Sequence, residues 1–473
     1  MNENPAALLP ELSLVLAAVL GLLTGSWLPR NRQWVVRLIA VAGCVGGVVA
    51  AVADLTRPAQ QVFDGTYVVD VGLGAVRITV LVAILLTIGL SIDRVGGSPR
   101  ETEFYVLVLL GGLGAIALAG ANDLLLLVAA YLLASIPLYA LTAIARTASG
   151  AEAAMKYYLL GALSGVTMLV GVTLLFGVGG SSQYTELAFG LAGAPRAVVA
   201  VGLVAVLAGL LFKIGAVPVH FWVPDVTQGA PVPVAAFVTT IPKIGGLLAL
   251  YRLVSTVLLS TSDVDWPLLV AVLAVVTMTL GNLAAFFQDD VRRLLAYSTI
   301  SQVGYLLVAV AVAGRAQLAL PALAFYLAGY AVTNLGAFAV VAELPRARTL
   351  ADYRGLATRR PVLALSLVVC LLGLIGTPPT AVFVGKLTVF TAAIDGGLAW
   401  LAVVAVVNTV ASVFYYLRWI APVFRRRDPA TVGDGATLQP AGIWSAVTAY
   451  SAAVASVLLG IVAGPVLAVL AAS

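Results

Sequence analysis

Charged residues are scarce in this sequence, and lysine is almost missing. Only 10% of the 473 residues are charged and 62% are apolar, whereas an average soluble domain has about 25% charged residues. This balance excludes a soluble globular domain. The chain has 22 arginines but four lysines, and all four lie in apolar stretches: Lys156, Lys213, Lys243 and Lys386. An ammonium in a membrane core costs roughly 2.5–3.5 kcal/mol, and a desolvated lysine titrates whereas an arginine does not. Lysines retained in such places therefore indicate proton handling.

Cysteine and histidine are even rarer than lysine. Cys44 and Cys370 are the only cysteines and both fall in apolar stretches, so they are interpreted as small core residues. His220 is the only histidine. The sequence has no metal-ligand spacing, nucleotide-binding loop, activated nucleophile or pair of catalytic carboxylates. We therefore expect no metal, no cofactor and no redox or covalent catalytic site in this chain.

Long apolar runs recur along the whole chain and predict an all-α polytopic membrane protein with about fourteen transmembrane helices. No polar stretch is long enough for a soluble domain, so residues 1–473 are predicted to form a single membrane domain. Glu3 and the lack of an early Lys or Arg argue against a cleaved signal peptide. The predicted spans are 8–28, 34–53, 75–92, 103–120, 123–144, 154–178, 197–217, 231–257, 266–287, 291–313, 317–343, 361–391, 397–422 and 440–470.

Arginines concentrate in the loops that follow odd-numbered spans, which predicts the orientation. By the positive-inside rule, these loops are cytoplasmic and both termini lie outside. The rule also accounts for the net charge of +5 without a nucleic-acid partner. The arginine-rich loops carry Arg30, Arg32, Arg37, Arg94, Arg100, Arg146, Arg292, Arg293, Arg346, Arg348, Arg354, Arg359, Arg360, Arg425, Arg426 and Arg427. The opposite side carries Arg57, Arg77, Arg196, Arg252 and Arg315.

Two motifs occur twice in the same order. The first copy comprises Tyr158–Gly161 and Leu210–Pro218, and the second comprises Tyr326–Gly329 and Leu371–Pro379. The copies lie five spans apart, and an odd number of spans inverts the second copy in the membrane. Such repeats with matching helix breaks are typical of transporter paths. The pattern predicts two inverted five-helix repeats over 103–257 and 266–422, with interrupted helices in spans seven and twelve.

Prolines at these breaks lie close to the interior lysines. Lys213 precedes Pro218 by five residues, and Lys386 follows Pro378 and Pro379. Each proline removes a backbone donor, so freed carbonyls and water can solvate a nearby ammonium. These residues are predicted to form a proton path.

Three further residues are candidates for the same path. Lys243 lies halfway along span eight, directly after Pro242. Lys156 lies near the cytoplasmic start of span six, where its side chain could instead snorkel to the interface. His220 follows the break in span seven, where it could relay protons or serve only as a hydrogen-bonded structural residue.

The polar segment after Lys213 carries a family resemblance. The pattern Phe212-Lys213-x5-Val219-His220-x-Trp222-x-Pro224-Asp225-x2-Gln228-Gly229-Ala230-Pro231-x-Pro233 resembles the signature of the antiporter-like subunits of respiratory complex I and of Mrp-type cation/proton antiporters. Supporting stretches are Glu103–Tyr105, Gly281–Leu283, Arg293–Ser298, Ile300–Tyr305, Tyr326–Tyr330, Tyr353–Leu356 and Phe383–Lys386. The fourteen-span length is similar to that of subunit N of NADH-quinone oxidoreductase, and Lys386 differs from the glutamate usual in subunit M.

The resemblance implies a role for each lysine. Lys213 would be the central lysine of a first half-channel, Lys243 the connecting lysine and Lys386 the terminal lysine of a second half-channel. Lys156 would match a further lysine of the family. The implied partners are other membrane subunits of a complex I-like assembly, quinone bound elsewhere in that assembly, and membrane lipid, in a bacterial inner membrane.

Two positions depart from the family pattern. The family's glutamate in span five, which pairs with the lysine of span seven, falls at Leu132, and a family histidine in span ten falls at Gln302. Three functions therefore remain open: a proton-conducting subunit of a redox-driven quinone oxidoreductase, a coupling scaffold of the same complex that does not pump, and a subunit of an Mrp-type antiporter. Leu132 predicts that the first half-channel is weakly coupled or closed.

Overall fold

The computed structural model describes residues 4–260, 265–426, 438 and 440–472, and nearly all of them are helical. Glu3 and Arg427 lie outside the described residues. A short hairpin, β1 (Gln60–Val62) and β2 (Tyr67–Val69), joins the second and third helices. The helices are α1 (Leu9–Trp27), α2 (Trp34–Asp54), α3 (Val71–Val95), α4 (Glu101–Gly120), α5 (Leu124–Leu133), α6 (Ile136–Thr142), α7 (Ala148–Gly179), α8 (Tyr184–Leu191), α9 (Arg196–Ile214), α10 (Trp222–Gly229), α11 (Val232–Thr256), α12 (Trp266–Phe286), α13 (Val291–Ala311), α14 (Ala319–Glu343), α15 (Leu356–Arg359), α16 (Pro361–Ile375), α17 (Ala381–Asp395), α18 (Ala399–Phe424), α19 (Trp444–Ile461) and α20 (Ala463–Ala471).

The predicted fold class is confirmed. Among the described residues, thirteen helical segments are long and apolar enough to cross a membrane, and each coincides with a predicted span. The remaining span, number twelve, is divided into α16 and α17. Helices α11, α13 and α14 are almost wholly buried, whereas α1, α2, α7 and α18 expose large apolar side chains on their outer faces.

The breaks expected in spans seven and twelve are both present and have the same construction. Gly215, directly after α9, has φ of +73°, and Gly376, directly after α16, has φ of +91°. The amide of Ala216 then donates to the Leu211 carbonyl at 2.9 Å, and that of Thr377 donates to the Leu372 carbonyl at 3.1 Å. Both ends are Schellman caps, which need the left-handed conformation that glycine adopts without strain. The two caps support the correspondence between the motifs, while the extent of the full repeats stays a prediction.

Span five has a break that was not predicted. Helix α5 ends at Leu133 and α6 begins at Ile136, with Ala134 and Ser135 between them. Pro137 lies in the first turn of α6, where a proline is tolerated although it cannot continue a preceding helix. The break exposes the last carbonyls of α5 to the protein interior.

Loop contacts divide the molecule into two ends. Tyr67 forms an isolated β-bridge with Ala121, and Asp123 forms one with Gln183, so the loops after spans two, four and six meet at one end. At the other end, Asp290 forms a bridge with Thr349, which joins the loops after spans nine and eleven. This alternation agrees with the predicted order of spans.

Arg77 differs from its predicted place in a polar break. It lies within α3 and is fully buried. Its guanidinium pairs with Glu11 of α1 at 2.8 Å and with Asp54 of α2 at 3.2 Å. Two buried carboxylates compensate the charge, so an arginine is retained inside the helical layer.

A second ion pair connects distant helices at the same end of the molecule. Arg252 of α11 donates to both carboxylate oxygens of Asp70, at 2.9 and 2.7 Å, and Asp70 caps the first turn of α3. Burial raises the pKa of the Asp70 carboxyl, but the pair with Arg252 outweighs it and leaves that pKa below its usual value.

Candidate functional site

Three of the four lysines are buried in the interior. The exposed fractions of Lys213, Lys243 and Lys386 are 1%, 0% and 2%. Within the described residues, none of these ammonium groups forms an ion pair with a carboxylate. Each one contacts backbone carbonyls at the C-terminal end of an interrupted helix instead. Those carbonyls lack intrahelical partners and carry the negative end of the helix dipole.

Lys243 faces the end of α9. Its Nζ donates to the Ile214 carbonyl at 2.7 Å and lies 5.3 Å from the centre of the Trp222 ring. Gly215 leaves the space for this ammonium, because a Cβ atom there would lie 2.7 Å from Lys243 Nζ. The glycine thus has two functions, closing the helix and admitting the lysine.

Lys386 faces the end of α16 in the same way. Its Nζ donates to the carbonyls of Ile375 at 2.8 Å and Leu374 at 3.4 Å, and it lies 4.1 Å from the centre of the Tyr305 ring. Ile375 and Ile214 are 161 residues apart, which is also the separation of the glycine caps. Equivalent carbonyls in the two halves therefore hold an ammonium, although the lysines come from different parts of each half.

Lys213 faces the unpredicted break in span five. Its Nζ donates to the Ala134 carbonyl at 3.2 Å and to the Ser135 hydroxyl, and it lies 4.5 Å from the centre of the Tyr131 ring. Cation–π attraction to the ring adds to these contacts.

Leu132 does not occupy the place facing Lys213 that the family pattern assigned to it. The leucine side chain is 43% exposed on the outer surface. Tyr131 and Ser135 are the side chains that meet the ammonium. The helix break changes which positions of span five point inward.

Lys156 does not belong to the buried set. Its side chain is 47% exposed and pairs with Glu152 at 2.8 Å and with Asp225 at 2.9 Å. Asp225 also accepts from Arg293 at 3.3 Å. Lys156 therefore lies in a surface ion-pair cluster at the arginine-rich end of α7, because the helix extends to Ala148 and leaves this lysine in its third turn.

His220 and the prolines lie at the two predicted breaks. His220 is 4% exposed and sits between α9 and α10, with its ring 4.4 Å from that of Phe221. Pro218 lies in the same connection, and Pro378 and Pro379 lie between α16 and α17. The prolines therefore lie in the two predicted breaks, and their part in the proton path stays a prediction.

A buried polar chain between Lys243 and Lys386 was missed by the sequence analysis. It begins one turn before Lys243 on α11, where the Tyr330 hydroxyl donates to the Thr239 carbonyl at 2.9 Å and lies 3.1 Å from the Thr299 hydroxyl, which can donate to it. Nearby, Asn334 donates to the Thr240 hydroxyl at 2.9 Å.

The chain continues one turn along α13 and α14. The Tyr326 hydroxyl donates to Gln302 Oε1 at 2.5 Å, and Gln302 Nε2 donates at 2.7 Å to the Leu374 carbonyl that also accepts from Lys386. Residues three and four apart share a helix face, so Thr299 with Gln302, and Tyr330 with Tyr326, lie on one face of α13 and α14. These hydroxyls and amides are neutral, so no charge marks them in the sequence. The polar run Ser298–Gln302 inside an apolar span was a signal that could have revealed them.

Comparison with known proteins shows extensive similarity. The family described as "NADH:quinone oxidoreductase/Mrp antiporter, TM" matches residues 121–412. NADH-quinone oxidoreductase subunit N 1 of Streptomyces griseus subsp. griseus is 56% identical over 473 residues, covering 100% of this chain and 99% of the relative. A chain of respiratory complex I from Thermus thermophilus superposes with a TM-score of 0.82 at 33% identity, over 97% and 98% of the two chains. A chain of the Mrp complex from Dietzia sp. shares the fold, with a TM-score of 0.85 at 22% identity over 99% and 96%.

Proposed function

Because this chain belongs to the NADH-quinone oxidoreductase subunit N family of antiporter-like membrane proteins, we propose that it moves protons along Lys213, Lys243 and Lys386 as one subunit of a redox-driven, complex I-like quinone oxidoreductase. It would work in a bacterial inner membrane beside other membrane subunits. Quinone would bind elsewhere in the assembly and redox chemistry there would supply the driving force. Protons would enter from the cytoplasm and leave outside.

The observation that carries this proposal is the placement of three buried ammonium groups against helix-end carbonyls. A lysine with a buried carboxylate partner would leave that carboxylate unpaired whenever it lost its proton, which costs several kcal/mol. A lysine held by carbonyl dipoles leaves only neutral groups. Each of these lysines can therefore alternate between charged and neutral forms as its neighbours change charge.

The buried polar side chains between Lys243 and Lys386 support a route between these two lysines. Hydroxyl groups of Tyr330, Thr299 and Tyr326 can both donate and accept, and the Gln302 amide joins Tyr326 to the carbonyl beside Lys386. His220 lies at the break near Lys213, where it could relay protons towards the first half of the path. Lys156 is exposed and paired with carboxylates, so it would act only at the entrance of the proton path.

Proton translocation by the purified complex, reconstituted in vesicles, tests the proposal. Lys386→Met should reduce quinone-coupled proton uptake at least about tenfold while the complex keeps its subunits. Lys213→Ala should reduce it less, because no carboxylate of the described chain is paired with Lys213 to gate it. Near-normal proton translocation in Lys386→Met would show that Lys386 has a structural role and does not carry protons.

Two alternatives would give other results in this assay. A coupling scaffold that does not pump is favoured by the absence, within the described residues, of a carboxylate at Lys213; both variants would then translocate like the wild type. An Mrp-type antiporter subunit would co-purify with cation/proton antiporter subunits, in place of iron–sulfur and quinone-site subunits.

A further inference from the structure

A cavity of about 370 Å³ opens at the arginine-rich end of the molecule, away from the lysine path. It lies where α3 ends, α4 begins, the loop after α6 passes and α11 begins. Three arginines line it: Arg94, Arg100 and Arg146. The remaining wall is largely apolar, with Val95, Phe104, Ile144, Pro231 and Pro233 among its residues.

Among the described residues, no carboxylate pairs with the arginines of this cavity. Its lining contains no carboxylate. Arg100 donates to the Ile144 carbonyl at 2.5 Å, which fixes it in the wall. Across the described part of the chain, Arg94 and Arg146 form neither an ion pair nor a side-chain hydrogen bond with other residues. Two free guanidinium groups beside a third that is held in place make a positive site at the end of the helical layer.

We propose that this cavity binds the headgroup of an anionic phospholipid. Guanidinium groups bind phosphate oxygens through two parallel hydrogen bonds. Basic pockets between transmembrane helices at the cytoplasmic surface suit such headgroups. The cavity also has the size of a small-molecule site. Its apolar wall suits the glycerol and first acyl carbons of a lipid, which a free inorganic anion lacks.

Native mass spectrometry of the intact detergent-purified complex, titrated with lipids, tests the site. The probes are phosphatidylglycerol, phosphatidylcholine with identical acyl chains, and inorganic phosphate. Phosphatidylglycerol should bind at least about tenfold more tightly than phosphatidylcholine. Inorganic phosphate at the same concentration should not displace it. Equal binding of the two lipids, or displacement by inorganic phosphate, would overturn the proposal without any variant being needed.

Substitutions then locate the binding. Arg94→Gln with Arg146→Gln should lower phosphatidylglycerol affinity about tenfold or more, whereas Arg94→Lys with Arg146→Lys should retain most of it. The matched control is Arg30→Gln with Arg359→Gln, which removes two exposed charges from the same end of the molecule and should leave binding unchanged. Equal losses of phosphatidylglycerol affinity in the test and control pairs would show that general surface charge, rather than this cavity, determines the binding. Density for another subunit between Arg94 and Arg146 in the complex would also refute a lipid site.

Discussion

At the scale of single residues, surroundings separate the four lysines more clearly than sequence position does. Lys213, Lys243 and Lys386 are held by carbonyls and aromatic rings in the interior. Lys156 is half-exposed and has two carboxylate partners. An exposed lysine with two carboxylate partners is suited to positioning a loop, so we expect Lys156 to contribute little to proton movement through the membrane layer.

Lys156→Met should therefore leave coupled proton translocation within about twofold of the wild type. Exposed ion pairs contribute little to stability, so the complex should also assemble normally. Vesicle-based proton uptake, measured beside Lys386→Met as the inactive reference, checks this expectation. A loss as large as that of Lys386→Met would return Lys156 to the proton path.

The sequence predicted the buried lysines because a charge inside an apolar run has few explanations. It could not predict their partners. Ser135 and Tyr131 are ordinary residues of an apolar span, and the carbonyls of Ala134, Ile214 and Ile375 leave no mark in a sequence. Leu132 was assigned the place opposite Lys213 by alignment with the family pattern alone, which does not give the direction of a side chain beside a helix break; the structure leaves it 43% exposed.

At the scale of helices, the interruptions provide the binding groups. The breaks of spans seven and twelve followed from prolines and from the repeated Ile-Gly motif, and the structure contains both. The break of span five carried a weaker signal, Pro137 alone, at a point where the apolar run continues. Each break presents unpaired carbonyls to one lysine, so element ends rather than acidic side chains define the site.

Gly215→Ala should weaken both the fold and the activity. A non-glycine residue in the left-handed region costs about 1–2 kcal/mol, and the new Cβ would lie 2.7 Å from Lys243 Nζ. We expect a lower melting temperature and at least about tenfold slower proton uptake. The control is Gly180→Ala, which has φ of +74° but no atom within 4 Å of the added Cβ. Gly180→Ala should lose stability to a similar extent and keep its activity. Equal activities in the two variants would show that Gly215 does not affect proton uptake through Lys243.

At the scale of the whole molecule, an ion-pair network attaches the first two helices to the rest of the bundle. Arg77 of α3 binds Glu11 and Asp54, and the Tyr67 hydroxyl donates to Glu11 at 2.6 Å. Arg77→Met would leave Glu11 without a cationic partner and Asp54 with only the half-exposed Arg57, and removing one partner of a buried ion pair costs about 3–5 kcal/mol. We expect poor yield and a lower melting temperature.

The control for this network uses the same carboxylate. Arg57 also pairs with Asp54, at 3.0 Å, but its side chain is 49% exposed. Arg57→Met should be nearly neutral. Adding Glu11→Gln and Asp54→Asn to Arg77→Met should restore part of the lost stability, since the unpaired charges are then removed. If Arg57→Met and Arg77→Met lower the stability equally, the burial of Arg77 does not explain the loss.

Orientation in the membrane is the property of the whole molecule that the sequence predicts most directly. Leu470, near the end of α20, packs in one cluster with Val71 at the start of α3. Glu11, near the other described end, contacts the hairpin that precedes α3. Both ends therefore share the side of the molecule opposite the arginine-rich loops. If those loops are cytoplasmic, as the charge bias predicts, both described ends face outward.

Single cysteines can test this orientation, because the native Cys44 and Cys370 are buried. In intact cells, a membrane-impermeant maleimide should label Ala472→Cys from outside but should reach Arg359→Cys only after the membrane is opened. Both positions are exposed, so a difference in labelling reports on the side of the membrane rather than on burial. Labelling of Ala472→Cys only in opened membranes, with Arg359→Cys labelled in intact cells, would invert the orientation and with it the proposed direction of proton movement. Labelling of both from the same side would contradict the odd number of predicted spans, twelve to fourteen, between the arginine-rich loop and the C-terminal end.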